Sequence, residues 1–172
     1  MHCPHCGVDL NDDHPACPGC RFHIDDLDPL LGPPPPRTGD VLDLAGALSP
    51  AERARLQARC ARLRGRTGAE LVVAIVPDTA PRKPAEYVFW LFNRWGVGGA
   101  DHRGILVLLA LAERRIESEV GYALEEVVSD AVSGELLAAH AVPFLREGAL
   151  GEGLYQACDV LAQLIESARV EA

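Results

Sequence analysis

Two stretches of the chain are apolar without alternation: Glu70–Pro77 (ELVVAIVP) and Gly104–Ala112 (GILVLLALA). Runs this short, bounded by breakers and rich in branched side chains, predict buried strands. Arg115–Tyr122 (RIESEVGY) alternates instead, which puts Ile116, Val120 and Tyr122 on one face and Glu117 and Glu119 on the other. Only Glu113 and Arg114 separate it from the preceding run, so a hairpin is expected, although this pair is not preferred turn chemistry.

Helical spacing fills the intervals. Val41–Ser49 (VLDLAGALS) leads into a helix with Ser49 as N-cap, Pro50 in the first position and Glu52 completing a capping box. Leu56, Cys60 and Leu63 share its apolar face, and Gly65 and Gly68 end it. A second helix is expected over 85–94. A third starts at Ser129 and is interrupted by Pro143, and a fourth covers 150–168 with Leu154, Cys158, Leu161 and Ile165 on one stripe. Cys60 and Cys158 therefore read as core residues. The pattern predicts an α/β domain over 40–170, with a small mixed sheet flanked by helices.

The first 28 residues follow neither period. Cys3/Cys6 and Cys17/Cys20 form two Cys-x-x-Cys pairs, each with proline after its first cysteine. Tetrahedral zinc takes four thiolates from two such turns. Val8, Leu10, Phe22, Ile24 and Leu27 are too few to fold a segment of this length without metal. The segment resembles a short zinc ribbon, with a redox dithiol pair or a rubredoxin-type iron centre as the alternatives. His5 and His14 are further candidate ligands, but four cysteines complete the shell and leave no open position, so the zinc is expected to be structural. Gly32–Pro36 (GPPPP) marks residues 29–39 as a semi-rigid linker.

Charge narrows the partners. The net charge is −9, and residues 1–40 hold seven acids against Arg21 and Arg37, which opposes nucleic acid. Arg55, Arg59, Arg62 and Arg66 form a stripe on the first long helix, which reads as a solvated face or as a dock for an acidic partner. The longest apolar run has eight residues, Ile105–Ala112, too short for a membrane helix, and no export signal opens the sequence. A cytosolic protein is expected.

Two motifs resemble phosphate chemistry without its context. Trp95–Gly104 (WGVGGADHRG) is glycine-rich, but it follows a helix and precedes a strand, the inverse of a phosphate loop. It reads as a helix stop that launches a strand. Cys60–Arg66 matches the spacing of a cysteine phosphatase loop, yet it lies within a helix.

Val41-x-Asp43-x-Ala45-x-x-Leu48-Ser49, Trp95-Gly-Val-Gly before Gly104-Ile-Leu-Val-Leu-Leu, and Ile116-Glu-Ser-Glu-Val-Gly-Tyr-Ala-Leu-Glu125 followed by Asp130 occur in that order. Together they resemble the TPM domain family over nearly all of 40–168. The resemblance implies an α/β sandwich and either a calcium-binding acid phosphatase or an interaction domain. Carried onto this chain, it implies Asp43, Asp101 and Asp130 as a candidate site for calcium or another divalent cation. The chain has Asp101-His102-Arg103-Gly104 where the family has Asp-Asn-Gly. The expected function is a partner-binding or adaptor module with structural zinc and an unidentified protein partner. The alternative is a metal-dependent phosphomonoesterase.

Overall fold

A computed structural model describes residues 1–10 and 16–168. In chain order they form α1 (Asp28–Leu31), β1 (Val41–Asp43), α2 (Pro50–Thr67), β2 (Glu70–Val76), α3 (Pro84–Trp95), β3 (Gly104–Ala110), β4 (Arg115–Val120), α4 (Asp130–His140), α5 (Val142–Arg146) and α6 (Leu150–Ala168). His14 of the ribbon and the last two residues of the expected 40–170 domain lie outside the described residues.

The sheet order is β1-β2-β3-β4, with β1, β2 and β3 parallel and β4 antiparallel to β3. β2 and β3 read as unbroken apolar runs because they are buried on both faces. One face, from Val73, Ile75, Ile105 and Val107, packs on α2, α4 and α6. The other, from Val72, Ala74, Leu106 and Leu108, packs on α3 and the N-terminal ribbon. The parallel strands lie in sequential order, yet α2 and α3 cover opposite faces, so the two crossovers have opposite hands and one is of the rare left-handed kind.

The start of α2 follows its sequence closely. Ser49 accepts from the Glu52 N–H, and Glu52 accepts in return from Ser49 N–H at 2.8 Å. Gly68 ends the helix in the left-handed region. Arg62 of the arginine stripe is exposed, as a solvated face requires, but the other three have partners within the chain. Buried Arg59 pairs with Asp159 at 2.6 Å and Glu166 at 2.9 Å, Arg55 pairs with Glu152 at 2.5 Å, and Arg66 pairs with Glu166 at 3.3 Å. The acidic partner of α2 is α6 of the same chain.

Three other expectations change. Val41–Asp43 is an edge strand, too short to register as a period. Tyr122 leaves the alternation of β4 for a 3-10 turn and packs with the ribbon-side face. The proline segment is not a free spacer: the Pro35 carbonyl accepts from Trp95 Nε1 at 2.9 Å, and Arg37 pairs with Glu70 at 2.5 Å.

The glycine stretch is a bend. Gly96 caps α3 with φ 58°, and the Gly98 N–H donates to Glu70 at 2.7 Å. A Cβ on Gly98, at φ 90°, would lie on the backbone of Arg103 and Gly104, and one on Gly104 would meet the Val97 carbonyl. We predict that Gly98→Ala lowers stability by about 2 kcal/mol or more. A shift in the denaturant midpoint measures it, and an unchanged midpoint would contradict this packing.

Candidate metal centre

The two Cys-x-x-Cys turns are near copies. Cys3 N–H donates to Val8 and its carbonyl accepts from Gly7, while Cys17 N–H donates to Phe22 and its carbonyl accepts from Arg21. Gly7 (φ 74°) and Arg21 (φ 62°) hold the equivalent left-handed position. Gly19 lets the turns meet, since a Cβ there would lie 2.9 Å from a Val8 methyl.

This geometry brings the Sγ atoms of Cys3, Cys6, Cys17 and Cys20 within 4.8 Å of one another. Cys3 and Cys20 are 3.7 Å apart, and Cys6 and Cys17 3.5 Å. A tetrahedral ion with metal–sulfur bonds of about 2.3 Å needs sulfur–sulfur edges of about 3.8 Å. The four residues fit such an ion. Burial pushes the Cys3 thiol up to about 12, whereas the Cys20 and Gly19 N–H groups bring Cys17 down to about 7. His5 is not a ligand. It stacks on Phe22 and contacts Glu86 of α3 at 3.0 Å.

The ribbon is joined to the domain at several points. Cys3, Cys17, Phe22 and Leu27 belong to the same buried cluster as Val88, Phe89 and Trp90 of α3. Asp28 accepts from Trp90 Nε1 at 2.8 Å and pairs with Arg94 at 2.7 Å, and these two partners draw its carboxyl below the usual range.

The aspartates implied by the resemblance fall apart. Asp43, Asp101 and Asp130 do not form a group of ligand distance among the described residues. Asp43 ends β1 at the level of Ile75, where its carboxylate accepts from Ala45, Ala47 and Leu48 N–H groups at 2.9–3.2 Å. Burial opposes its charge, but those donors and Arg53 hold it below the ordinary carboxylate range. Asp101 is exposed in the bend before Gly104, which is paired with Glu70. Five residues of parallel strand, about 17 Å, separate the two levels.

Asp130 has different company. It opens α4 and contacts His2 Nδ1 at 2.5 Å. Glu119 lies close enough for the two charges to act on each other, and the Met1 amine contacts Glu125. One buried oxygen of Glu119 and one of Asp130 have no hydrogen-bond partner among the described residues. Burial, with Asp130 adding to it and the amino group opposing, pushes the Glu119 carboxyl well above its usual value. The alternation of β4 placed Glu119 with Glu117 on the face opposite Ile116 and Val120. The ribbon covers that side.

These features define a three-layer α/β domain whose second face is capped by a four-cysteine ribbon. The TPM domain family model matches residues 41–164, and the chain belongs to that family. Among solved structures, the N-terminal domain of a Porphyromonas gingivalis protein is similar at 27% identity and TM-score 0.70, covering 74% of this chain and 82% of that one. The N-terminal domain of a Corynebacterium glutamicum protein has 17% identity, TM-score 0.59 and coverage of 78% and 82%. The BA42 protein of Bizionia argentinensis has 14% identity, TM-score 0.62 and coverage of 72% and 85%, and like the preceding one it shows the fold alone. No curated protein matches the chain. No helix among the described residues is long and apolar enough to cross a membrane.

Two outcomes test the geometry. Arg21→Gly relieves a left-handed side chain and raises the stability of the metal-loaded protein by about 1 kcal/mol; a loss would contradict the equivalence of the two turns. Glu119 has a folded pKa above its unfolded one, so its ionisation costs stability as pH rises from the unfolded value through the folded one. Glu119→Gln should therefore raise the melting temperature by about 2–4 °C at pH 7, with the gain fading towards pH 4. An equal gain at both pH values would contradict the buried charge.

Proposed function

We propose that this chain is a partner-binding module of a reducing, cytosolic compartment, and that the ribbon holds a structural zinc ion. The observation that supports it is the closed set of four thiolates, two of which, Cys3 and Cys17, are buried in the same cluster as α3. Four thiolates complete tetrahedral zinc and leave no position for substrate. The ion then acts as a stability element, fixing the ribbon so that it covers the sheet. A reducing compartment keeps all six thiols available as thiols.

A second reading is favoured by the unpartnered oxygens of Glu119 and Asp130. A divalent cation among those carboxylates would polarise a phosphomonoester and activate water. It requires the first residues of the ribbon to leave the cluster.

Elemental analysis and a phosphoester assay separate the readings. The expected result is one zinc per chain, retained after dialysis against calcium-containing buffer, with no turnover of p-nitrophenyl phosphate and a protein partner recovered by the zinc-loaded chain. Turnover that requires added calcium or magnesium and is lost in Asp130→Asn, with the fold retained, would overturn the partner-binding reading in favour of the phosphatase.

A further inference from the structure

The last strand of the sheet borders a cavity at the margin of the first core cluster. A groove of about 1100 Å³ runs between β4 on one side and α4 and α5 on the other. Four consecutive residues of β4, Arg115 to Ser118, line it. The lining also takes in Leu109 and Ala110 of β3 and Leu111, so the cavity spans the hairpin end of β3 and β4 and touches side chains of both faces of β4. The outer edge of β4 is open. β4 is terminal in the sheet order, and no described group pairs with its outward backbone N–H and C=O groups. Exposed edges of this kind add a strand readily.

The opposite wall is apolar, from Leu137 of α4 and Val142 and Leu145 of α5. Charge is distributed unevenly along the length. Arg114, Arg115 and Arg146 gather at the hairpin end, and Asp130 lies at the other. Arg115 contacts Glu117 at 3.4 Å, whereas the guanidinium groups of Arg114 and Arg146 make no ion pair with any described residue. On α2, by comparison, Arg55, Arg59 and Arg66 are joined to α6, and Arg62 is exposed. In a chain of net charge −9, two unpaired exposed arginines beside an open edge form a local basic end.

We infer that this groove binds an extended peptide segment of a partner protein, which pairs with the β4 edge, lays apolar side chains against α4 and α5, and sets an acidic side chain between Arg114 and Arg146. Main-chain pairing supplies affinity in such strand addition, while side-chain pockets and charges supply selectivity. The inference rests on the partner-binding reading and names the surface and the chemistry for it.

The test uses the full metal-loaded chain and two fluorescein-labelled eight-residue peptides, one alternating valine and glutamate and the other valine and lysine. Fluorescence anisotropy reads binding, and amide exchange reads the β4 backbone. The glutamate peptide should bind about tenfold tighter than the lysine peptide, with the double variant Arg114→Glu/Arg146→Glu reversing the order. Outward amides within Arg115–Val120 should gain protection. Both substituted side chains are exposed, and an unchanged melting temperature checks the fold. Failure of both peptides to bind, or equal affinity for the two, would overturn the inference. So would competition by decanoate without protection of β4, which would make the groove a lipid-tail cavity. A partner held equally by the double variant and the unaltered chain would overturn the groove assignment while leaving the partner-binding reading intact.

Discussion

β2 and β3 are apolar on both faces, and their second face has one long helix to cover it. Everything else in the arrangement follows from that constraint. α2, α4 and α6 close the first face. On the second, α3 leaves a margin that is closed by Cys3, Cys17, Phe22 and Leu27 of the ribbon. The ribbon has too few apolar residues to hold its own shape, so its order depends on the thiolate cluster. The same few side chains thus serve the ribbon's interior and the domain's surface, so the four-cysteine ribbon and the sheet share one buried cluster.

Polar contacts reinforce the seam. Asp25 and Asp28 clamp Arg94 at the C-terminal end of α3, His5 meets Glu86 near its start, and the Met1–His2 end reaches Glu125 and Asp130. A buried or half-buried ion pair is a weak source of net stability but a strong source of position, because losing one partner leaves the other uncompensated. The pairs between α2 and α6 act likewise on the opposite side, where buried Arg59 holds Asp159 and Glu166. Internal pairing takes up Arg55, Arg59 and Arg66, while Arg114 and Arg146 beside the β4 groove stay exposed.

Much of this was legible in the sequence. The two apolar runs, the capping box at Ser49, the hairpin and the span of α6 follow from local chemistry that tertiary structure had no reason to override. The cysteine knuckles were legible because a spacing rule with a metal behind it is unusually specific. What escaped was non-local. A three-residue edge strand carries no period, and the opposite hands of the two crossovers leave no mark on composition. The proline run is extended by its own preference, yet Trp95 and Glu70 lie alongside to hold it. The alternation in β4 correctly separated Glu119 from Val120, but a period does not say what covers each side, and only the packing of α3 and the ribbon on that face shows that Glu119 is buried. Asp43 fits the family motif for a reason the motif does not reveal, since its carboxylate ties down the turn into α2.

The unity of ribbon and domain is tested most directly by amide hydrogen exchange on the full chain, metal-loaded and then stripped by a chelator under reducing conditions. Loss of metal should release protection in α3 and on the facing residues of β2 and β3 together with the ribbon, since they share one cluster. Loss of protection confined to residues 1–28, with α3 unchanged, would show two independent units and contradict the account.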